Sequence, residues 1–261
     1  RWNLEKGGKY YVKKNDTAIF GFVIGETPLD QSGFNMISAH SDSPCFRIKP
    51  NPEMLADGVL KLNTEVYGGP ILYTWFDRPL SLAGRVIVRN PQNPARPITK
   101  LIDFASPVLI IPHLAIHFNR NVNAGNPLSK QKDMLPIAAI VSDSMSKNNF
   151  LIDQIKERLE IADSKDILDF DLMLYNCQKS QLVGFNKEFI CSGRIDDLSM
   201  AHAALSALLN SDNPATTKVM AIFDNEETGS GTKQGAASPV LASILHRVST
   251  CMGLDDEGFY Q

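Results

Sequence analysis

The chain has 261 residues and carries 26 Lys+Arg against 29 Asp+Glu, a formal net charge of −3. Its 43% hydrophobic and 21% charged content belongs to a globular protein rather than a disordered one, and the near-balance of charge argues against nucleic acid or an anionic membrane surface as a partner. No apolar run reaches the roughly 18–20 residues that a membrane span needs.

The first fifty residues read as strands. Lys9–Lys14 (KYYVKK) and Ala18–Gly25 (AIFGFVIG) are β-rich runs split by Asn15-Asp16, a hairpin signal. Phe34–His40 (FNMISAH) is a third apolar run and ends in the polar cluster Ser41-Asp42-Ser43-Pro44. A strand ending in His-x-Asp delivers side chains to a sheet edge, where open α/β folds place their sites. Residues 45–176 change character. Val59–Tyr67, Arg85–Arg89 and Val108–Ile111 read as strands between Pro- and Gly-rich turns such as Tyr67-Gly68-Gly69-Pro70, with one amphipathic helix at about Asn149–Ile161. This block suits an inserted β-rich domain.

The α/β pattern returns after Cys177. Glu188–Cys191 leads into Arg194-Ile195-Asp196-Asp197, then a helix over Leu198–Leu209 with Leu198, Ala201, Leu205 and Leu208 on its apolar face. Lys218–Phe223 (KVMAIF) is a buried-strand pattern that runs directly into Asp224-Asn225-Glu226-Glu227 and a Gly-rich turn. A last helix spans Pro239–Cys251, with Pro239 in its first turn. The four cysteines (Cys45, Cys177, Cys191, Cys251) have no CxxC spacing, which leaves a four-thiolate zinc and a thioredoxin motif unsupported and points to reduced thiols in a cytoplasmic protein.

Three acid-rich sites stand at strand ends: His40-Ser41-Asp42, Asp196-Asp197 and Glu226-Glu227. Each alone also suits a solvated turn or a helix cap. Jointly they supply the nitrogen and oxygen ligands that a hydrolytic zinc takes. If Glu226-Glu227 is extended, its two side chains point to opposite sides, so that one can bind metal while the other handles a water proton. The same pair equally suits an acidic turn before a helix N-terminus. Asp42, two residues from His40, could fix the tautomer of the ring or be an ordinary turn residue. Competing motifs fail. Gly229-Ser230-Gly231-Thr232-Lys233 has the wrong order for a phosphate loop, and neither Gly-x-Ser-x-Gly nor His-Glu-x-x-His occurs.

Ala39–Pro50 (AHSDSPCFRIKP), Gly193–Leu198 (GRIDDL) and Phe223–Ser230 (FDNEETGS) together resemble the aspartyl aminopeptidase family of zinc metallopeptidases, and Thr74–Arg78 (TWFDR), Leu82–Val86 (LAGRV) and Ile111–His117 (IPHLAIH) agree in order along the chain. The resemblance implies an α/β fold. A mixed-sheet zinc exopeptidase domain, residues 1–44 and 177–261, would be interrupted by a β-rich dimerisation domain, residues 45–176. It implies two zinc ions per site, with His40 on one, Glu227 on the other and Asp196 bridging them, Glu226 as general base, and Asp42 orienting the His40 ring or an adjacent ligand. It also implies a cis peptide at Asp196–Asp197.

By the same resemblance His117 would reach substrate in a neighbouring subunit's site, or contact metal, while His113, His202 and His246 would be structural. The expected activity is release of single N-terminal residues from peptides with a free N-terminus, in a cytoplasmic homo-oligomer assembled through the inserted domain. A deacylase or carboxypeptidase of the same architecture and a non-catalytic binding or assembly module are the alternatives. The family supplies two further ligands, an Asp in an Asp-x-Ala-His-like segment and a late His, and Asp255-Asp256-Glu257-Gly258 does not match the first of these. The chain is therefore expected to be a piece, beginning at Arg1 after a leader helix and ending at Gln261 before the last ligands, and inactive by itself.

Overall fold

The computed structural model describes residues 2–141, 148–212 and 214–260; Arg1 and Gln261 lie outside them. In chain order the elements are β1 (Lys9–Lys14), β2 (Ala18–Val23), α1 (Leu29–Ser32), β3 (Phe34–His40), β4 (Cys45–Ala56), β5 (Val59–Tyr67), β6 (Leu80–Val88), β7 (Ile98–Asp103), β8 (Ile137–Ile140) and α2 (Phe150–Arg158). Then come β9 (Ile167–Asn176), β10 (Gln181–Val183), β11 (Phe189–Cys191), α3 (Ile195–Leu209), β12 (Thr217–Phe223), α4 (Val240–Cys251) and α5 (Asp256–Tyr260). The architecture is mixed α/β. It divides into two compact units, Arg1–Ser43 with Arg194–Gln261, and Pro44–Gly193. The second junction thus lies later than the change of character at Cys177, because the β10–β11 hairpin groups with the second unit.

The first unit is built on a four-stranded sheet of order β1-β2-β12-β3. β1 and β2 form a hairpin with a three-residue loop, 15–17, in which Asn15 and Asp16 both have positive φ (54° and 56°) and the Thr17 N–H donates to Lys14 O at 3.3 Å. β12 runs antiparallel to β2 and parallel to β3. Alternate residues of β12 serve the two faces of the sheet. Val219, Ala221 and Phe223 join Phe20, Phe22, Ile244 and Val248 on the α4 side. Met220 and Ile222 meet Ala201 and Ala204 on the α3 side. Both faces are covered, so β12 reads as a continuous apolar run.

The sequence places Leu198, Ala201, Leu205 and Leu208 on the buried face of α3. The structure turns the contact toward Ala201, Ala204 and Leu208, leaving Leu198 and Leu205 at 42% and 39% exposure. The small alanines are what let the helix backbone approach the bulky Met220 and Ile222. Asp196 (φ −85°, ψ 112°) and Asp197 (φ −118°, ψ 20°) are not helical, so regular turns begin at Leu198, where the sequence puts them.

The second unit holds a six-stranded antiparallel sheet, β7-β6-β9-β4-β5-β8. One face packs Phe46, Ile48, Leu62, Leu80, Leu82, Val86, Leu172 and Leu174 with Leu151 and Ile155 of α2. Val108–Ile111, expected as a strand, makes only isolated bridges, Leu109 to Leu80, Ile110 to Ile137 and Phe76 to Ile111. Pairing with a different partner at each residue stops a ladder from forming. No helix among the described residues is long and apolar enough to cross a membrane.

Candidate metal centre

The parallel pairing of β3 and β12 sets Ala39 beside Ile222 and His40 beside Phe223. Both strands therefore finish together, and the loops 41–44 and 224–235 leave from one carboxyl edge, the position at which open α/β sheets carry their sites. Ser41 fastens the first loop. Its N–H donates to Phe223 O at 2.9 Å, and its Oγ donates to Phe223 O at 3.1 Å and Thr17 O at 3.0 Å. Ser43 Oγ donates to the Asp196 carbonyl at 3.2 Å, joining this loop to the start of α3. The Asp196–Asp197 peptide is cis, as the resemblance implies.

Around this edge the structure gathers His40, Asp42, Asp196, Asp197, Glu226 and Glu227. His40 Nδ1 faces the Asp42 carbonyl oxygen at 3.1 Å and Asp42 Oδ1 at 3.3 Å. Both are acceptors, so Nδ1 carries a proton, and in the neutral ring the lone pair is on Nε2. Nε2 in turn faces Asp196 Oδ1 at 3.5 Å, Asp197 Oδ2 at 3.9 Å and Glu226 Oε2 at 4.0 Å. One ligand atom each from His40, Glu226 and Glu227 lies within 4.8 Å of the others. A ring lone pair aimed at carboxylate oxygens is electrostatically unfavourable until a cation or proton enters among them. One imidazole nitrogen with carboxylate oxygens is a donor set that fits zinc.

The charges leave their mark on titration. Burial depresses the His40 ring, but Asp42, Asp197 and Glu226 outweigh it and raise the group above the usual imidazole range. Burial raises the Glu227 carboxyl, and the charges of Glu226, Asp42 and Asp196 raise it further against the opposing His40. A carboxyl whose proton is held more tightly by burial and like charges is one whose ionised form a nearby cation would favour.

The tandem glutamates differ from expectation. They lie in a 3₁₀ turn, Glu226–Thr228, not on an extended segment. Successive side chains then diverge by about 120° rather than 180°, and both carboxylates reach the same cluster. Asp42 anchors that turn by accepting Glu226 N–H through Oδ1 and Glu227 N–H through Oδ2, each at 3.2 Å. Within the other tandem pair, the Asp196 side chain is 93% exposed and that of Asp197 16%. Asp197, given no role by the sequence, accepts the His40 backbone N–H at 3.0 Å. Its signal was only adjacency to Asp196, which does not tell which of the two is turned inward.

A cavity of about 270 Å³ opens beside this cluster, lined by Ser38, Ala39, His40, Asp197, Phe223 and Glu226 with Ser230 and Ala236. His117 belongs to the second unit, where its ring stacks obliquely on Phe118 at 4.4 Å between centroids. His113 packs edge-on against Phe76 at 4.5 Å, and His246 meets Asp256 at 2.8 Å.

Comparison with known proteins places this geometry in context. The family model described as "Aminopeptidase I zinc metalloprotease (M18)" matches residues 1–258. A "Probable M18 family aminopeptidase 2" of Clostridium novyi is 50% identical over 262 residues, covering 100% of this chain and 60% of the relative. The chain thus spans somewhat more than half the length of the curated relatives it matches. Among solved structures, that of the Ape4 and Nbr1 complex aligns with a TM-score of 0.88 and 33% identity over 98% of this chain and 52% of that one. The Chaetomium thermophilum mApe1 structure aligns at 0.85 and 32%, over 95% of this chain and 58% of that one.

Proposed function

The chain belongs to the aminopeptidase I zinc metalloprotease (M18) family, and from that premise we propose that its chemistry is zinc-dependent release of the N-terminal residue from peptides. The observation that carries the reading is the convergence of His40 Nε2 with the Glu226 and Glu227 carboxylates at the shared end of two parallel strands. His40 and Glu227 would each hold a zinc ion, and the exposed Asp196 carboxylate would bridge the two. Zinc, when bound, supplies Lewis acidity that acidifies water and polarises a carbonyl.

The chain's own groups do the rest. Glu226 lines the cavity and is the general base: it takes a proton from the attacking water and returns it to the leaving amine as the C–N bond breaks. Asp42 keeps the proton of the ring on Nδ1 and holds the glutamate turn in place through two backbone amides. His117 would contact substrate. In the second unit the outer strands β7 and β8 expose Leu101 and Ile140 at 77% and 80%, apolar surface that contact with another copy would bury. We assign homo-oligomer contact to this unit. The four cysteines, none of them in a disulfide, suit the reducing cytoplasm proposed as its location.

The test uses the intact protein. Zinc content is measured, and turnover of aminoacyl-arylamides is compared with that of N-acyl amino acids. Zinc uptake with arylamide cleavage is the expected result. Cleavage of only the acylated compounds would establish a deacylase or carboxypeptidase instead, and stoichiometric zinc without any turnover would establish a binding module.

A further inference from the structure

The run Gly229–Lys233, which fails as a phosphate loop, has a different job in the structure. Thr232 Oγ1 donates to Asn225 Oδ1 at 2.7 Å. Gln234 Nε2 donates to the same oxygen at 2.8 Å and to Asp224 Oδ2 at 3.4 Å. Gln234 is only 7% exposed. Both atoms facing its amide nitrogen are acceptors, and Asp224 can be nothing else, so the orientation of the amide is set by chemistry.

Asn225 immediately precedes Glu226 and has a left-handed backbone (φ 62°, ψ 27°), a conformation asparagine tolerates better than most residues. Its carbonyl accepts the N–H groups of Thr228 at 3.3 Å and Ser230 at 2.8 Å, closing the turn that carries both glutamates. On the far side, Asp42 accepts the amides of Glu226 and Glu227. The glutamate turn is therefore gripped at two points, by Asp42 from the loop after β3 and by Thr232 and Gln234 through the Asn225 side chain.

We infer that Thr232 and Gln234 are positioning residues that set the place of the Glu226 and Glu227 carboxylates by holding the Asn225 side chain. The inference rests on the reading of that site as a zinc aminopeptidase centre only for its consequence in activity; the grip itself consists of the chain's own hydrogen bonds. Neither residue touches the cluster, so their effect is transmitted through the turn. Groups that orient metal ligands typically contribute about 10- to 100-fold to metal affinity.

The decisive comparison is Thr232→Val against Thr232→Ser in the intact protein, because the first removes the hydroxyl at nearly constant shape and the second keeps it. Gln234→Leu is the second probe. In metal-free protein, amide hydrogen exchange over residues 225–230 should quicken by about tenfold in Thr232→Val and Gln234→Leu and stay at the parent rate in Thr232→Ser. Zinc affinity, read by chelator competition, should fall by about tenfold in the same two variants, with kcat reduced and KM little changed. Equal exchange in Thr232→Val and Thr232→Ser, or quickened exchange with zinc affinity unaltered, would overturn the inference. Should the parent protein take up no zinc, the functional reading fails, and the exchange comparison alone still decides whether the grip exists.

Discussion

The Asp197 carboxylate accepts the backbone N–H of His40 at 3.0 Å, across 157 residues of sequence. Through this bond the start of α3 sets the height at which β3 delivers the imidazole, while Nε2 stays 3.9 Å from the same carboxylate oxygen. Asp197→Ala removes the acceptor and leaves the His40 amide unpaired. Zinc affinity of the intact protein should then drop by about 10- to 100-fold. Asp197→Asn keeps one acceptor oxygen and should recover most of that loss. Equal affinities for the two variants, measured by chelator competition, would show that Asp197 does not hold His40 in place.

Glu226 and Glu227 lie close enough to His40 for either to be a ligand, and substitution separates the roles. Glu226→Gln preserves shape and cannot take a proton. A general base contributes about 10²–10⁴-fold, so kcat should fall by that range while zinc content stays at the parent level. Glu227→Gln should instead release zinc. If Glu226→Gln emptied the site, Glu226 would be the ligand and the assignment of the pair would reverse.

The sheet of the second unit hinges on Gly84, which pairs with Leu172 of β9 and Ile102 of β7. A Cβ placed on Gly84 would collide with the backbone carbonyl of Asp171, and backbone cannot swing aside as a side chain can. Asp171 also holds Arg47 at 2.8 Å and Arg85 at 3.3 Å, so moving it would disturb both pairs. Gly84→Ala should cost about 3 kcal/mol, the upper end for overpacking. Denaturant unfolding of the variant within about 0.5 kcal/mol of the parent would contradict this.

How far the sequence reveals these features follows from what each feature depends on. Strand β3 and the loop after it are visible because an apolar run meets His-Ser-Asp-Ser abruptly, and β12 is visible for the same reason at Asp224. β4 was hidden by Pro50 and Pro52, which normally disqualify a strand interior. The structure accommodates them in a register break between Ile48 and Glu53, with Asn51 at φ 50°, so the strand survives as two paired halves around a bulge. Asp197, Thr232 and Gln234 were illegible for a different reason. Asp197 holds the His40 amide, while Thr232 and Gln234 hold the Asn225 side chain next to the glutamates, and nothing in local composition reports where a side chain of this kind ends up. The 3₁₀ geometry of Glu226-Glu227 depends on the left-handed Asn225, itself held by those distant donors.

The second unit also makes a prediction about alkaline stability. Tyr175 OH donates to Asp103 Oδ1 at 2.6 Å. Burial, with this bond and the Asp103 charge, raises the phenol above its ordinary range against the opposing Ser81 contact. Burial raises the nearby Cys177 thiol as well, again with Asp103 adding and Ser81 opposing. A folded-state pKa above the unfolded value means that the stabilisation is complete below the unfolded pKa, about 8.5 for cysteine and 10 for tyrosine, and is lost as pH rises through the folded value. The unfolded chain gives up these protons first, so unfolding is favoured in alkali. Tyr175→Phe forfeits the hydrogen bond and should be less stable than the parent by about 1 kcal/mol at pH 9. As pH climbs past about 10 the parent loses that same advantage, so the two denaturation midpoints should converge. A gap that stays constant across the range would mean that the Tyr175 proton does not contribute to the stability of the sheet.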